Sequence, residues 1–255
     1  MMSDRTVLIT GGAQGIGAAT ARTLAARGWR VAVADLQADE ALARAKELDE
    51  SSPVADGHVG LSVDVSDPEA VNALVADIES RAGRLDALVN GAGNIFRQEA
   101  RSYDDRQWER QLAVHLTGAL NCTRAAYPLL RRSDSPAVVN IASVGSTFGL
   151  PGRLGYATAK SGILGFTRTL AAEWGPEGIR VNAVAPGYVA TDMVRSGLAS
   201  GALNEEALLR RTPLRRLARP EEIATAIAFL LSSDAAFVHG TTLAVDGGIT
   251  IDGTF

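Results

Sequence analysis

Thr6-Val7-Leu8-Ile9-Thr10-Gly11-Gly12-Ala13-Gln14-Gly15-Ile16-Gly17 runs from an apolar, β-branched strand through a glycine-rich turn into the start of a helix. Glycines let the backbone turn tightly and approach a ligand, while a helix N-terminus offers free N–H groups and a partial positive charge. Together they make a cradle for a pyrophosphate, in the first strand-to-helix turn where a dinucleotide fold needs it. The spacing is G-x3-G-x-G rather than the general G-x-G-x-x-G, and a tight strand–helix turn would use the same glycines. Asp35 strengthens the ligand reading. It ends the second strand, Arg30-Val31-Ala32-Val33-Ala34, and stands twenty residues past Gly15. At that spacing a carboxylate accepts from the ribose 2′- and 3′-hydroxyls, and its charge repels a 2′-phosphate. Ala34, Leu36 and Gln14 beside it are neutral. These residues predict NAD rather than NADP.

Outward from this stretch, short apolar strands alternate with Ala/Leu-rich helical stretches. Helices are expected from about Ile16 to Arg27 and Asp39 to Glu50, one opened by Asp67-Pro68-Glu69, and others over Asp104–Leu130, Tyr156–Trp174 and Glu221–Leu231. Strands are expected at Val59–Val63, Ala87–Asn90, Ala137–Ala142, Arg180–Ala185 and Leu243–Val245. Several strands are apolar on both sides, the mark of parallel strands covered on both faces. The pattern predicts an α/β doubly wound parallel sheet with helices on both faces. No linker or repeat divides the chain, so one domain is expected over residues 1–255.

Composition narrows the function classes. With 46% hydrophobic and 21% charged residues over 255 positions, the chain is globular. A net charge of −4 gives no broad basic surface for nucleic acid. No apolar run reaches a membrane span. Cys122 is the one cysteine and reads as a buried structural thiol. No cluster has metal-ligand spacing, so no metal is expected. Met1-Met2-Ser3-Asp4-Arg5 leads straight into the first strand, which gives the expectation of a cytoplasmic protein without a signal peptide.

Tyr156 and Lys160 stand at i and i+4, one above the other on a helix face. A phenol has a pKa near 10, and a nearby ammonium lowers it toward working pH. Tyr156 can then exchange a proton with an alcohol or ketone oxygen, which Ser143 at a strand end can also hydrogen-bond. Lys and Arg together number 25, yet Lys46 and Lys160 are the only lysines, so Lys160 is conspicuous.

At this point the chain resembles the short-chain dehydrogenase/reductase family, over nearly its whole length. The resemblance rests on the Thr10–Gly17 loop, Asp64-Val65, Asn90-Gly91-Ala92-Gly93, Ser143, Tyr156 with Lys160, Pro186-Gly187 with Thr191, and Asp246-Gly247-Gly248. It implies a Rossmann-type fold and hydride transfer with a nicotinamide cofactor. It implies Tyr156 as general acid/base, Lys160 as pKa-lowering and ribose-binding group, and Ser143 as substrate-orienting group. Gly11, Gln14, Gly15, Ile16 and Gly17 would hold the pyrophosphate, with Asp35 and Leu36 at the ribose. Asp64 and Val65 would hold the adenine. Asn90, Gly91, Ala92 and Gly93 would line the cleft, and Pro186, Gly187, Val189 and Thr191 would place the nicotinamide.

Two positions depart from the family pattern: Gly91 stands where a second asparagine is usual, and His115 where the catalytic asparagine is usual. His115 is read either as sustaining a proton relay that depends on pH near neutrality, or as a helix residue with local hydrogen bonds. The resemblance also implies a substrate lid over about 192–220, rich in arginine (Arg195, Arg210, Arg211, Arg215, Arg216, Arg219), and a homotetramer in which the tail Ile249–Phe255 reaches a neighbour. Those arginines and Arg153 read as a solvated basic face or as anchors for an acidic substrate. Trp108 and Trp174 read as core or interface anchors, and His58 and His239 as surface or loop residues. The function expected is an NAD-dependent dehydrogenase of a small-molecule secondary alcohol, a polyol, sugar or hydroxy acid. The alternatives are a 3-oxoacyl-thioester reductase and a non-catalytic dinucleotide-binding regulator.

Overall fold

A computed structural model of the chain describes residues 5–54 and 57–251. Seven strands form one sheet: β1 (Thr6–Thr10), β2 (Arg30–Asp35), β3 (Val59–Ser62), β4 (Ala87–Asn90), β5 (Ala137–Ile141), β6 (Arg180–Pro186) and β7 (Thr242–Val245). All pairings are parallel, in the order β3-β2-β1-β4-β5-β6-β7. Every residue of β1 and β4 is buried, as both-sided apolar strands require. The order in which successive strands are added reverses between β1 and β4, which opens a crevice at their C-terminal ends.

The pleat sends alternate residues to opposite cores. Val7 and Ile9 of β1 pack with Leu24 of α1 (Gly15–Ala26), Leu48 of α2 (Ala38–Ser51) and Ile223 of α9 (Pro220–Leu231). Leu8 packs on the other face with Ile78 of α3 (Pro68–Ala82) and, from α5 (Gly118–Leu130), with Cys122. Burial of each such leucine or isoleucine contributes about 1.5–3 kcal/mol. Cys122 is fully buried, which pushes its thiol up to about 12. The Asp67 side chain caps α3 by accepting from the N–H groups of Glu69 and Ala70, and Gly83 ends it in the left-handed region.

Two sequence expectations change. The helix expected over Asp104–Leu130 is α4 (Asp105–Leu112) and α5 joined by a π-helical turn, Ala113–Thr117, which carries His115. The stretch after Pro186-Gly187, read as polar and arginine-rich with no element assigned to it, contains α7 (Asp192–Ala199) and α8 (Glu205–Arg211). Asn204 caps α8 through Ala207 N–H, and Arg210 pairs with Glu206 one turn earlier. These are short-range helix supports that leave no long apolar stripe to read. His58 lies in the loop leading into β3, one of the two places expected for it, and is buried there: its Nδ1 accepts from Val31 N–H at 3.1 Å. His239 is exposed, as expected, although its Nδ1 accepts from Val181 N–H at 3.2 Å. Trp174 is half-buried against Tyr127, with ring centroids 4.8 Å apart. Of the tail expected to reach a neighbour, residues 252–255 lie outside the described residues. Among the described residues no helix is long and apolar enough to cross a membrane.

Candidate active site

One cavity of about 490 Å³ occupies the crevice at the C-terminal ends of the strands. Its floor at one end is the glycine loop. Gly11 has a φ of 65°, and a Cβ at Gly17 would lie 2.0 Å from Gly11 O, backbone against backbone. Glycine therefore brings the start of α1 directly over the β1 turn. That helix start has no side-chain cap and no acidic residue in its first turn. Uncapped N–H groups facing a cavity with no competing carboxylate suit a pyrophosphate. Gln14, Gly15 and Ile16 complete this wall.

Asp35 lines the cavity beside Leu36. Its Oδ2 accepts from Ala13 N–H at 3.1 Å and its Oδ1 from Gln37 N–H at 3.2 Å, which fixes the carboxylate against the loop. Arg44, the cation that reaches this loop, binds the Ala13 carbonyl and Glu47 and is absent from the cavity wall. Asp64 and Val65 also line this end. The Asp64 carboxylate is engaged by Ser66 Oγ at 2.6 Å and by Arg110 Nη2 at 2.9 Å. Burial alone would raise its pKa, but the Ser66 and Arg110 bonds outweigh that and hold it below the usual carboxylate range.

Gly91, Ala92 and Gly93 form the wall between the two ends. Thr10 Oγ1 accepts from Gly91 N–H at 3.2 Å and Ala92 N–H at 3.3 Å, so the end of β1 shapes this turn. Asn90 departs from its expected role. Its side chain is turned inward and away from the cleft, donating to Thr123 Oγ1 at 3.0 Å and Asn140 Oδ1 at 2.8 Å. Pro186, Gly187, Val189 and Thr191 close the cavity from β6 and the start of α7. The Thr191 methyl would lie 3.2 Å from a Cβ at Gly15, so the two walls nearly meet over the loop.

The residues expected to handle the proton gather at the far end, Ser143 just past β5 and Tyr156 and Lys160 on α6 (Leu154–Trp174). Ser143 Oγ accepts from Gly145 N–H at 3.0 Å, which leaves its own proton free to donate. Burial raises the Tyr156 phenol pKa, opposed by a hydrogen bond with Ser143 and by the positive field of Arg153. Lys160, expected to provide that field, has its Nζ 5.9 Å from the Tyr156 ring centroid and donates to Ile141 O at 2.5 Å. Burial pushes its pKa down to about 8.

His115 is buried from the π turn, edge-to-face on Tyr156 with centroids 5.4 Å apart. Its Nε2 lies 2.7 Å from Asn94 O, while Nδ1 is buried without a partner. Asn94 N–H also faces Nε2, at 3.1 Å, but the shorter contact with the carbonyl and the competition for one nitrogen favour the tautomer that carries the proton on Nε2 and leaves Nδ1 as an acceptor. Burial, then the charge of Lys160, pushes the imidazole down to about 3. That holds it neutral through the physiological range, and of the two readings of His115 it favours the helix residue with local hydrogen bonds over a relay that depends on pH near neutrality.

The expected lid arginines are turned elsewhere. Arg195 pairs with Asp192, Arg210 with Glu206, and Arg216 and Arg219 with Glu222. Arg211 stacks on Phe148, and Arg215 donates to the Arg210 carbonyl. None of the six lines the cavity. Arg153 does, together with Arg97 and Tyr188, which sequence reading passed over. Arg97 stands a few residues past β4 in a strand-to-helix loop, and that position at the switch point was the available signal.

Comparison with known proteins agrees with this geometry. A family model described as enoyl-(acyl carrier protein) reductase matches residues 11–250. The chain is 41% identical over 252 residues to cis-4-hydroxycyclohexanecarboxylate dehydrogenase of Sinomonas cyclohexanicum, covering 97% of each. It is 41% identical over 246 residues to an uncharacterized short-chain type dehydrogenase/reductase of Sinorhizobium fredii, covering 96% of this chain and 43% of that longer protein. A solved structure from Beutenbergia cavernae, described as a candidate NAD(P) dependent gluconate 5-dehydrogenase with NADP bound at low occupancy, superposes with a TM-score of 0.89 at 33% identity, covering 97% of both chains. The chain belongs to the short-chain dehydrogenase/reductase family.

Proposed function

We propose that the protein is an NAD-dependent oxidoreductase interconverting a small secondary alcohol, a polyol, sugar or hydroxy acid, with its ketone. The observation that carries this reading is one cavity with Asp35 at one end and Ser143, Tyr156 and Lys160 at the other. The relative that dehydrogenates a hydroxycyclohexanecarboxylate supports the substrate class. Bound nicotinamide dinucleotide supplies the hydride acceptor or donor. Gly11 through Gly17 hold its pyrophosphate, Asp35 its adenine ribose, and Asp64 and Val65 flank the adenine. Asp35 favours NAD because its fixed charge repels a 2′-phosphate.

The chain's own work is to hold the carbinol and move its proton. Ser143 donates to the substrate oxygen. Tyr156 takes the hydroxyl proton in oxidation and returns it in reduction. Lys160, with one N–H on Ile141 O, keeps its other hydrogens for a ribose hydroxyl, and near a pKa of about 8 it readily gains or loses a proton. His115 Nδ1, a neutral acceptor, holds a water that links Lys160 outward. On this reading the chain is a single domain with 192–220 as a substrate lid. It works in the cytoplasm as a homotetramer. Exposed Phe237 and Ile251 support association, with light scattering as its check.

The test mixes purified protein with NAD or NADP and a panel of alcohols, and follows absorbance of the reduced nicotinamide. Turnover with NAD, reduced about 10²–10⁴-fold by Tyr156→Phe while NADH still binds, is the expected result. Turnover with NADP alone would overturn the Asp35 argument and favour the 3-oxoacyl-thioester reductase. Turnover untouched by Tyr156→Phe would remove the phenol from the chemistry.

A further inference from the structure

Two arginines on the cavity wall serve neither dinucleotide binding nor proton transfer. Arg97 lies in the loop after β4, and Arg153 immediately precedes α6, three residues before Tyr156. Backbone pairing brings their segments together: Gln98 N–H donates to Gly152 O at 2.9 Å, and Gln98 pairs with Arg153 as an isolated parallel bridge. Arg97 passes beneath the lid, where a Cβ at Gly197 of α7 would lie 3.0 Å from Nη2. Its Nε is buried with no hydrogen-bond partner. Arg153 donates to Pro151 O at 3.4 Å, a weak bond at the edge of hydrogen-bonding distance.

Among the described residues, neither arginine forms a salt bridge, and the acids that line the cavity are engaged elsewhere. Asp64 is held by Arg110, Asp192 by Arg195, and Asp35 by two backbone N–H groups at the opposite end. Burial and the like charge of Arg153 both work against the Arg97 cation. Arg153 acts electrostatically on the Tyr156 phenol, so the pair belongs to the chemical end of the cavity. The surrounding wall is mostly apolar, with Ile95, Leu150, Met193, Val194 and Leu203 beside the polar Asn94 and Tyr188. Such a wall suits an apolar body and offers few partners to the many hydroxyls of a sugar or polyol.

Two guanidinium groups on one cavity wall, near enough for Arg153 to act on the charge of Arg97 and without counter-charge, are costly unless an anion completes them. Their forked donors match the two oxygens of a carboxylate. We propose that Arg97 and Arg153 form a carboxylate subsite beside Tyr156, and that the substrate is a hydroxy acid with an apolar body rather than a polyol or sugar. This narrows the function proposed above and rests on it for the chemistry.

The test begins with binding, so that it does not depend on turnover. Cyclohexanecarboxylate and the isosteric cyclohexanecarboxamide are titrated by calorimetry into the enzyme–NADH complex. The acid is expected to bind about tenfold or more tightly than the amide. Arg97→Leu and Arg153→Leu are each expected to weaken the acid about 10–100-fold and to bring the acid-to-amide ratio near one, with NADH affinity as the folding control. Arg153→Lys, which keeps charge and loses the fork, is expected to fall between. Equal binding of acid and amide, acid binding untouched by both Leu variants, or binding of neither probe overturns the subsite. Arginine-dependent acid binding without NAD or NADP reduction by any hydroxy acid would leave the subsite standing and remove the oxidoreductase reading. Reduction of NAD by neutral alcohols and by no hydroxy acid, with acid and amide bound equally, would do the reverse.

Discussion

At the residue scale, His115 couples the site to stability. Its folded pKa of about 3 lies below the unfolded value of about 6.5. Protonation therefore favours the unfolded chain. The neutral imidazole's contribution is whole above about pH 6.5 and is lost as pH falls from there toward 3. Each unit inside that window costs about 1.4 kcal/mol. Denaturant melts from neutral pH down to about 4 should show wild type losing stability more steeply than His115→Asn; parallel slopes would contradict the burial argument. Burial also lowers the His58 pKa, so a smaller slope of the same sign should survive in the variant. The sequence marked His115 as a departure from its family, but not this behaviour. A histidine in a helical pattern carries no sign of whether its ring meets water. Here the ring packs against Gly93, whose added Cβ would lie 2.4 Å from His115 Cε1, and against Tyr156.

At the element scale, the glycine loop is the joint whose tolerance is smallest. The contact that a Gly17 Cβ would make is with backbone, so no side chain can swing aside. Gly17→Ala should cost about 1–3 kcal/mol in denaturant unfolding and weaken NADH at least tenfold by fluorescence titration. Near-normal NADH binding would show that α1 can shift without loss of the cradle. Elements like this one were legible because their physics is local: a β-branched run, a glycine turn, a helix start. The cap at Asp67 was legible for the same reason. The π turn was not, since one extra residue in a helical turn leaves apolar periodicity almost intact. Nor were α7 and α8, whose short polar helices are held by caps and by pairs such as Arg195–Asp192.

At the scale of the whole molecule, the sheet divides its labour between its two ends. The C-terminal ends carry the cavity. The opposite end is tied by Asp86, which is buried and accepts from Thr6 N–H at 2.8 Å, Arg84 Nη2 at 2.7 Å and Ser133 Oγ at 2.6 Å. Burial alone would raise its pKa, but those donors outweigh it and hold the carboxyl below its ordinary value. Asp86→Ala should therefore cost about 3–5 kcal/mol of stability and leave NADH affinity at its wild-type value. A large loss of NADH affinity in the still-folded variant would show that the two ends are coupled. The site followed the same division in legibility. Residues at strand ends, such as Asp35 and Ser143, were found from order and spacing. Arg97 was not, because only the folded path of its loop brings it beside Arg153. Asn90 was read as facing the cleft, yet it faces Asn140 in register across β4 and β5, and Asn140 donates on to Thr167 at 3.0 Å. That inward amide pair works as a proofreading mark for strand alignment. Slide β5 by two residues along β4 and the faces still match in hydrophobicity, but Val138 replaces Asn140 opposite Asn90, and the two buried amides lose their bond to each other. Apolar strands that fit in several alignments by oiliness alone thus have a single one in which these two amides meet.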